Sequence, residues 1–463
     1  MNGMVAAGHA LTAEAGARVL REGGNAVDAA IAAMLLSWVA APLLPGPAAG
    51  GYMLVAGAGE TETLLDFFVA APGFGADREP CELEAIEVSF GDATQVFNVG
   101  AASVGAYGNP AGIEEAARRW GTVPLADLAA PAAAHARAGV PVNAQQAYIY
   151  SILERIVGER LLREGEPFQD AELAGTIERL GADGAAPFYT GDIAAAVVAE
   201  LEPHGAVLTA EDLARYEPVA RDPVRVSYRG REILTNPPPN AGGTLLAMAM
   251  ELLEESVGVP DAVALAYVME VVQGQRTPEF VSKLGSTTHI SVLDGDGRAC
   301  SVTCTNGEGS GIWIPGTGIH VNNIMGEEDL NPLGFHTFPP GRRMPSMMAP
   351  TVVQGPHGVE LVVGSAGSNR IRSAILQTIV GVIDRGLPAR EAVEAARLHF
   401  EDGIVFTEPG IDDDLLRTSG RTVNPFRAPN VFFGGVQAVE RDPATGALTG
   451  AGDPRRGGAV VAE

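Results

Sequence analysis

The feature that most constrains the fold is an apolar run at residues 29–44, which directly follows Asp28. A helix built from this run is apolar on nearly every face, so it needs protein on all sides. The run contains Ser37 and Pro42, and it lacks both the basic leader of a signal peptide and the length of a membrane span. We therefore predict a buried helix inside a sizeable protein.

Start and stop signals flank this helix. Thr12 precedes a helical stretch that runs through Glu22, the pair Gly23-Gly24 ends it, and Asn25 is placed to cap the buried helix. A Pro-Gly-rich break at residues 45–51 then leads into two apolar segments, 52–56 and 63–69, which have the content of buried strands. Helices and sheet are therefore expected in packed layers.

The middle and the second half of the chain differ in pattern. Residues 110–253 have Ala and Leu at helical spacing, with a capped start at Thr209, and predict mostly helix. Residues 287–293 and 298–305 alternate as short strands around the turn 294–297, which predicts a hairpin. Strands then dominate until helices near 371–385 and 389–397, so the main boundary is expected near residue 286.

Charge and cysteine content exclude several classes of function. The net charge of −26, from 57 acidic and 31 basic residues, argues against nucleic acid or an anionic membrane as a partner. Cys81, Cys300 and Cys304 are too few and too scattered for a disulfide framework or a zinc site. We expect reduced thiols in a cytoplasmic protein, with no metal and no cofactor.

The start of the predicted hairpin has a possible nucleophile. A hydroxyl is a poor nucleophile at neutral pH, but cleavage of the Ser286–Thr287 bond would give Thr287 its own amine as a base, with a pKa of about 7.7–8.0. Taken alone, a Thr pair at a strand start is more typical of an ordinary strand. The rest of the chain changes this interpretation.

Eight stretches together, in the same order, resemble the gamma-glutamyltranspeptidase family. They are residues 24–30, 237–243, 285–292, 301–305, 315–323, 345–351, 364–370 and 452–456. The resemblance covers nearly the whole chain. It implies an α+β fold, the αββα four-layer sandwich of the N-terminal-nucleophile (Ntn) hydrolases, in which two stacked antiparallel sheets lie between helical layers. It also implies self-cleavage between Ser286 and Thr287 into subunits 1–286 and 287–463, which stay associated as one interleaved unit.

The resemblance implies roles for a catalytic set. Thr287 Oγ would attack the substrate carbonyl while its own amine shuttles the proton, and Thr305 matches the position whose hydroxyl orients the nucleophile. Gly367 and Ser368 match the oxyanion pair, although the family usually has a second glycine at the latter position. A backbone donor survives that change if Ser368 avoids a conformation that only glycine tolerates. His289 shares the strand face of Thr287, but a structural role is expected for it.

The carboxylate pocket of the family is altered here. Phe68 stands where the family places an arginine that holds the glutamyl α-carboxylate. Ser346 matches the first of two carboxylate-binding serines, and Met347 replaces the second. Losing a cation and a hydroxyl leaves a carboxylate poorly compensated. The alternative is that a shift in alignment hides a surviving arginine, for instance Arg78.

The ammonium side of that pocket is partly kept. Ile324 stands where the family has a glutamine, Glu327 falls near its aspartate, and Asn306 matches its asparagine across a gap. The long segment that precedes the nucleophile in the family is also cut down here, to residues 253–286.

Three functions follow from these residues. The first is an amidohydrolase or acyltransferase that cleaves a small acyl amide through an acyl-Thr287 intermediate. The second is a true glutathione hydrolase or γ-glutamyl transferase, and the third is an uncleaved, non-catalytic relative that binds a partner. The expected partner in the first two is a small-molecule amide or γ-glutamyl compound.

Overall fold

The chain is described by a computed structural model over residues 2–89, 94–275, 287–328, 330–331 and 333–463. Its strands, in chain order, are β1 (Gly3–Ala7), β2 (Gly50–Gly57), β3 (Thr63–Phe67), β4 (Glu84–Ser89), β5 (Thr94–Val99), β6 (Val140–Pro141), β7 (Pro167–Phe168), β8 (Val219–Arg221), β9 (Val224–Tyr228), β10 (Arg231–Thr235), β11 (Thr288–Asp294), β12 (Arg298–Thr305), β13 (Trp313–Ile314), β14 (Ile319–His320), β15 (Thr351–Gly355), β16 (Gly358–Ala366), β17 (Leu398–Glu401), β18 (Ile404–Thr407), β19 (Thr422–Pro425), β20 (Gly435–Arg441), β21 (Leu448–Gly452) and β22 (Ala459–Ala462).

The α-helices fall mainly before β11 and after β16. They are α1 (Ala10–Arg21), α2 (Ala26–Ala40), α3 (Asn109–Trp120), α4 (Leu125–Ala138), α5 (Ala144–Ile152), α6 (Glu154–Val157), α7 (Ala171–Asp183), α8 (Ala186–Tyr189), α9 (Asp192–Leu201), α10 (Ala210–Ala214), α11 (Ala241–Glu254), α12 (Ala262–Gly274), α13 (Arg370–Ile383), α14 (Ala389–Glu394) and α15 (Asp413–Thr418).

Two antiparallel sheets form the centre of the molecule. The first has seven strands in the order β22-β1-β11-β12-β2-β3-β8, and the second has six in the order β21-β20-β16-β15-β10-β9. Both contain strands from each side of residue 286, so the two predicted subunits interleave in both sheets. Smaller sheets lie outside this core and pair β13 with β14, β4 with β5, β6 with β7, and β17 with β18 and β19.

The alternation of side chains in β1 shows how the layers are made. Val5 and Ala7 pack into a core with the helices α1, α2, α4 and α7, whereas Met4 and Ala6 pack into a second core between the sheets. Helices α11, α13 and α14 cover the outer face of the six-stranded sheet. The order is helices, sheet, sheet, helices, which confirms the predicted αββα sandwich.

The apolar run forms α2, and every residue of this helix is buried. Asn25 caps it through a capping box with Asp28, as predicted, and the Asp28 carboxylate also accepts hydrogen bonds from Thr122. Burial on all sides explains a helix without a polar face. Among the described residues no helix is long and apolar enough to cross a membrane.

The predicted hairpin is present as β11 and β12. Asp294 ends β11, and its Oδ1 accepts hydrogen bonds from the amides of Asp296 at 3.1 Å and Arg298 at 2.9 Å. This side chain fixes the turn, and with it the register of the two strands. The same pairing places both strands at the centre of the seven-stranded sheet.

One local prediction differs from the structure. Helix α1 begins at Ala10 with His9 as its cap, because the His9 ring accepts from the amide of Leu11, so the helix starts before Thr12. The middle region is mostly helical, as predicted, and the short strands β8, β9 and β10 within it extend the two sheets. The capping box predicted at Thr209 is confirmed at the start of α10.

Candidate active site

Thr287 is the residue directly before β11, and it is 3% exposed. Thr288 pairs with Cys304 in the antiparallel hairpin, so one further step of the same register places Thr287 opposite Thr305. Side chains that face each other in such a pair have Cβ atoms about 4.5–5.5 Å apart. The hairpin therefore brings the two predicted catalytic hydroxyls together.

The line of paired residues that starts with Thr287 and Thr305 continues across β2 and β3. Thr305 pairs with Gly50, and the pairing of Gly51 with Phe67 carries the register on to Phe68 opposite Gly50. Residues in one such row lie on one face of a sheet, and this face is the one that packs against the second sheet. Neighbouring strands are about 4.8 Å apart, so Phe68 begins roughly 14 Å from the nucleophile position.

The second sheet brings the predicted oxyanion residues to the same end. A Cβ on Gly364 in β16 would lie only 2.1 Å from the His289 ring in β11, so these strands face each other closely. The candidate nucleophile precedes His289 by two residues at the start of β11. Gly367 and Ser368 follow Gly364 at the end of β16. Ser301 Oγ in β12 donates to the Val363 carbonyl, and Thr303 pairs with His289 at the level of Gly364, so the start of β11 lies toward the same side of the sandwich as the end of β16.

Gly367 and Ser368 both have positive φ angles, 113° and 53°. A Cβ on Gly367 would lie 2.9 Å from the Cα of Gly434, so glycine is required there by space and by conformation. The φ of Ser368 favours glycine, but it is not a value that only glycine tolerates, so the condition set for a backbone donor at this position is not violated. This φ lies in the small left-handed region, which other residues enter at a cost of about 1–2 kcal/mol. The backbone at Ser368 thus keeps the shape that a glycine would give.

Three hydrogen bonds fix the loop that follows Thr305. The amide of Gly307 donates to Thr305 Oγ1 at 3.0 Å. The amide of Asn306 donates to the Leu44 carbonyl at 2.9 Å, and its side-chain Nδ2 donates to the His320 carbonyl at 3.1 Å. The Nδ2 group of Asn306 therefore holds the loop, whereas its Oδ1 is buried with no hydrogen-bond partner among the described residues, so the substrate-binding role of Asn306 stays a prediction.

Glu327 lies directly beside this loop and is 6% exposed. A Cβ on Gly307 would lie 2.5 Å from Glu327 Oε1 and 1.9 Å from Asn323 Oδ1, and Gly307 has a φ of 63°. Only glycine fits so close to the carboxylate. Ile324 is fully buried in the short turn that precedes Glu327. The structure therefore places a carboxyl group next to the residues that follow Thr305.

The predicted carboxylate end of the pocket is apolar. Phe68 is fully buried and stacks on Tyr52, with ring centroids 5.5 Å apart and planes 28° apart. Met347 is 2% exposed in the same core. Ser346 is buried too, and its Oγ accepts from the amide of Met348 at 3.0 Å. An aromatic ring and a thioether therefore stand where an arginine and a hydroxyl were expected in the family.

The arginines near the apolar end formed by Phe68 and Met347 are paired with carboxylates of the protein. Asp66, which is fully buried, forms ion pairs with Arg221 at 2.8 Å and with Arg343 at 3.5 Å. Arg78 is exposed and donates to the Glu202 carboxylate at 2.5 Å and to its carbonyl at 2.8 Å. The alternative in which Arg78 replaces the missing cation is wrong, because its guanidinium is bound at the surface.

His289 is fixed between hydroxyl groups of its own sheet. Its Nδ1 lies 2.7 Å from Thr303 Oγ1, and its Nε2 lies 3.0 Å from Ser291 Oγ. Burial lowers the pKa of His289 to about 3, so the ring is neutral at physiological pH. These contacts support the structural role expected for it.

Sequence reasoning missed one residue at this site. Arg456 belongs to a stretch that resembles the family, but no role was assigned to it. Its Nη2 would lie 3.3 Å from a Cβ on Gly367, and burial lowers the pKa of Arg456 to about 10 while Asp453 and Glu308 oppose the shift. Because Arg456 and Gly367 are distant in the chain, only the fold brings this cation to the oxyanion residues.

The remaining predictions concern thiols, metals and the cleaved bond. All three cysteines are unpaired, and burial raises the pKa of the thiols of Cys300 and Cys304. Across the described ranges, no group of three His, Cys, Asp or Glu side chains could hold a metal ion. Ser286, the predicted residue before the cleaved bond, lies outside the described residues.

Comparison with known families agrees with this geometry. A sequence model of the Gamma-glutamyltranspeptidase family matches residues 12–276 and 268–463. The acylase ACY 1 proenzyme of Pseudomonas sp. (strain SE83) is 30% identical, and the match covers 99% of this chain and 93% of that protein. The glutathione hydrolase proenzyme of Escherichia coli (strain K12) is also 30% identical, over 98% of this chain and 90% of that protein.

A solved structure supports the same conclusion. The crystal structure of cephalosporin acylase from Bacillus halodurans superposes with a TM-score of 0.83 at 26% identity, covering 99% of this chain and 95% of that one. The sandwich with a threonine at the head of its central hairpin defines an enzyme of the Ntn-hydrolase class, with a threonine nucleophile. Within that class, the chain belongs to the gamma-glutamyltranspeptidase family.

Proposed function

We propose that this chain is an autoprocessing amidohydrolase or acyltransferase that cleaves a small acyl amide through an ester on Thr287. The observation that carries the proposal is the placement of Thr287 opposite Thr305, at the end of the sandwich where Gly367 and Ser368 follow β16. A nucleophile, a hydroxyl to orient it and backbone donors for an oxyanion are the parts that acyl transfer needs.

The proposed reaction has two steps. Cleavage between Ser286 and Thr287 frees the Thr287 amine, which takes the proton from Oγ as this oxygen attacks the amide carbonyl. The C–N bond then breaks, and the same proton passes to the leaving nitrogen, which departs as an amine. Water attacks the ester in the second step, releasing the carboxylic acid and the free hydroxyl, or an amine acceptor takes the acyl group.

Two residues would position the reacting atoms. Thr305 Oγ1 accepts a hydrogen bond from the Gly307 amide, and the proposed role of its hydroxyl is to orient Thr287 Oγ. The amides of Gly367 and Ser368 are proposed to stabilise the negative oxygen that develops on the substrate carbonyl.

The wall at Phe68 and Met347 favours an acyl group without an α-carboxylate at that end. A buried carboxylate there would lack a cation, which costs several kcal/mol unless it is hydrogen-bonded or paired. Glu327 leaves the opposite side negative, so an acyl group with a cationic or hydrogen-bond-donating substituent is favoured on that side.

Denaturing mass spectrometry of the purified protein tests the processing step. Scaling 47.8 kDa by 286 and 177 of 463 residues gives expected fragments of about 30 and 18 kDa. A Thr287→Ala variant should remain one chain, and a Thr287→Ser variant should still divide. One full-length species in the native protein would overturn the processing step and favour the uncleaved binding protein instead.

Glutathione hydrolysis is the second candidate, and the 30% identity to the E. coli glutathione hydrolase proenzyme favours it. Release of the aniline from a γ-glutamyl anilide, compared with glutaryl and neutral acyl anilides, separates the two. Preference for the γ-glutamyl compound by tenfold or more would contradict the specificity that we infer from Phe68 and Met347.

A further inference from the structure

A cavity is lined in part by the loop that connects α2 to β2. Its volume is about 170 Å³. Aromatic and apolar side chains from separate elements form its walls, among them Trp38, Leu43, Tyr150, Phe168 and Trp313. A cavity of roughly 150 Å³ holds one benzene ring, so this one has room for a single ring with a small substituent.

A cation lies over one aromatic wall of this cavity. The guanidinium carbon of Arg160 is 5.0 Å from the centroid of the Trp313 ring, which itself stacks on His320 with centroids 3.8 Å apart. Half of the Arg160 side chain is exposed, and its charged partner is Asp170 at 3.9 Å. Asp170 also accepts from the amide of Leu173 at 2.8 Å. Arg160 therefore has donors left for a ligand.

His320 lines the cavity and has a buried N–H donor. The amide of Gly311 donates to its Nε2 at 3.2 Å, so this nitrogen has no proton. Burial lowers the pKa of His320 to about 3, which keeps the ring neutral, and its proton is therefore on Nδ1. Nδ1 is buried and has no hydrogen-bond partner among the described residues.

Trp38 is a second lining residue with a buried N–H donor. Its Nε1 is also buried without a hydrogen-bond acceptor in the described part of the chain. Buried polar groups in native proteins are nearly always satisfied, so an acceptor that a small side-chain shift brings within reach of these donors would be favoured. The flat apolar walls and Arg160, whose partner Asp170 lies 3.9 Å away in the same lining, select an aromatic ring that has a carboxylate.

We propose that this cavity binds a small aromatic carboxylate, with its ring among Trp38, Phe168 and Trp313 and its carboxylate toward Arg160. The proposal does not depend on the reaction at Thr287. It adds a second binding site to the active site proposed there. The carboxylate oxygens would accept from Arg160, and a small shift of the indole or imidazole would bring one of the buried N–H donors into range.

The cavity is coupled to the candidate active site by two carbonyl groups. Leu43 and His320 line the cavity, and the Leu44 and His320 carbonyls accept the two hydrogen bonds that hold Asn306. Asn306 directly follows Thr305. A ligand that moves either wall would therefore shift the loop beside the catalytic hydroxyl, so the bound acid is expected to change turnover without competing with the substrate.

Tryptophan fluorescence tests the binding directly, because two of the three tryptophans, Trp38 and Trp313, line the cavity. Titration of the processed protein with phenylacetate should give saturable quenching, whereas the uncharged phenylacetamide should bind at least tenfold more weakly. Arg160→Gln should weaken phenylacetate binding at least tenfold. Arg163→Gln, which removes an exposed arginine that does not line the cavity, is the matched control and should leave the affinity unchanged.

Each contrary result overturns the proposal. Unsaturable quenching, equal affinity for the acid and the amide, or equal affinity in the Arg160 and Arg163 variants would show that the cavity is not an aromatic-acid site. The titration contains no substrate, so it gives the same answer whether or not Thr287 proves to be the nucleophile. Competitive inhibition by phenylacetate would contradict the separate location of the site.

Discussion

The two ends of one row of residues across the seven-stranded sheet differ sharply in chemistry. Thr287 and Thr305 stand at one end, opposite each other and close to the turn at Gly367. Phe68 stands at the other end, fully buried and stacked on an aromatic neighbour. The first end has the two hydroxyls proposed for acyl transfer, and the second has an aromatic ring where the resemblance to the family led us to expect an arginine that binds a carboxylate.

We infer from this difference that separate residues on one scaffold set the proposed reaction and its substrate specificity. Changes at the hydroxyl end should remove turnover with every substrate. Changes at Phe68, Met347 or Glu327 should instead alter which acyl group is used.

Loss of the nucleophile should have the largest effect. Thr287→Ala removes the attacking oxygen, and turnover of any acyl anilide should fall by more than about 10⁴-fold, because the steps that depend on a nucleophile fail together. Initial rates at saturating substrate measure this. Thr287→Ser keeps an oxygen and an amine, and measurable turnover in it is the required control.

Loss of the Thr305 hydroxyl should have a smaller but uniform effect. Thr305→Val keeps the branched shape in the strand and should lower kcat by about 10²-fold, the low end of the effect of a positioned proton-handling group. Thr305→Ser should retain most activity. A loss of activity with only one class of acyl anilide would mean that Thr305 determines which substrate is used. That result would contradict the separation of reaction and specificity between different residues.

Restoring the missing cation and hydroxyl should change specificity. Phe68→Arg combined with Met347→Ser supplies two groups for a carboxylate, and charge-assisted hydrogen bonds contribute about 1.5–3 kcal/mol each. The ratio of γ-glutamyl to neutral acyl turnover should rise about tenfold or more. Met347→Ser alone is the control, and retained self-cleavage shows that the double variant folds.

Neutralising Glu327 should affect only donors with an ammonium group. Glu327→Gln removes one charge beside Gly307, so kcat/KM for a γ-glutamyl anilide should fall about tenfold relative to the glutaryl anilide, which lacks the amine. Equal losses with both compounds would mean that Glu327 acts on the loop after Thr305 instead of on the substrate.

The pH dependence of kcat/KM should reflect the titration of the Thr287 amine and not that of the buried His289. Only the unprotonated amine of Thr287 can accept the Oγ proton, so kcat/KM should fall as the pH drops below about 7.7–8.0. The pKa of His289 is lowered by burial to about 3, so His289→Gln should leave the apparent pKa of this limb unchanged. A shift of that limb in the variant would make His289 part of the proton transfer.

The sequence was sufficient for features that depend on local chemistry. The hairpin follows from alternating strands around Asp294, the start of α2 follows from the Asn25 cap, and the burial of α2 follows from its lack of a polar face. The roles at Thr287 and Thr305 came from the resemblance to a family, and the hairpin register then placed the two hydroxyls together.

Contacts between distant segments could not be predicted from the sequence. The approach of Gly364 to His289, the position of Arg456 beside Gly367 and the surface pairing of Arg78 with Glu202 all depend on how the sheets and loops pack. The left-handed conformation of Ser368 was also missed, because the tight turn between β16 and α13 overrides the ordinary preference of a serine.

The most direct test of the account is the mass of the small subunit during turnover. The processed enzyme is mixed with a neutral acyl anilide, quenched in acid within seconds and digested. We expect the acyl mass on the peptide that begins with Thr287, and its loss when turnover is complete. Continued release of aniline without such an adduct, or an adduct on any other residue, would contradict the central claim.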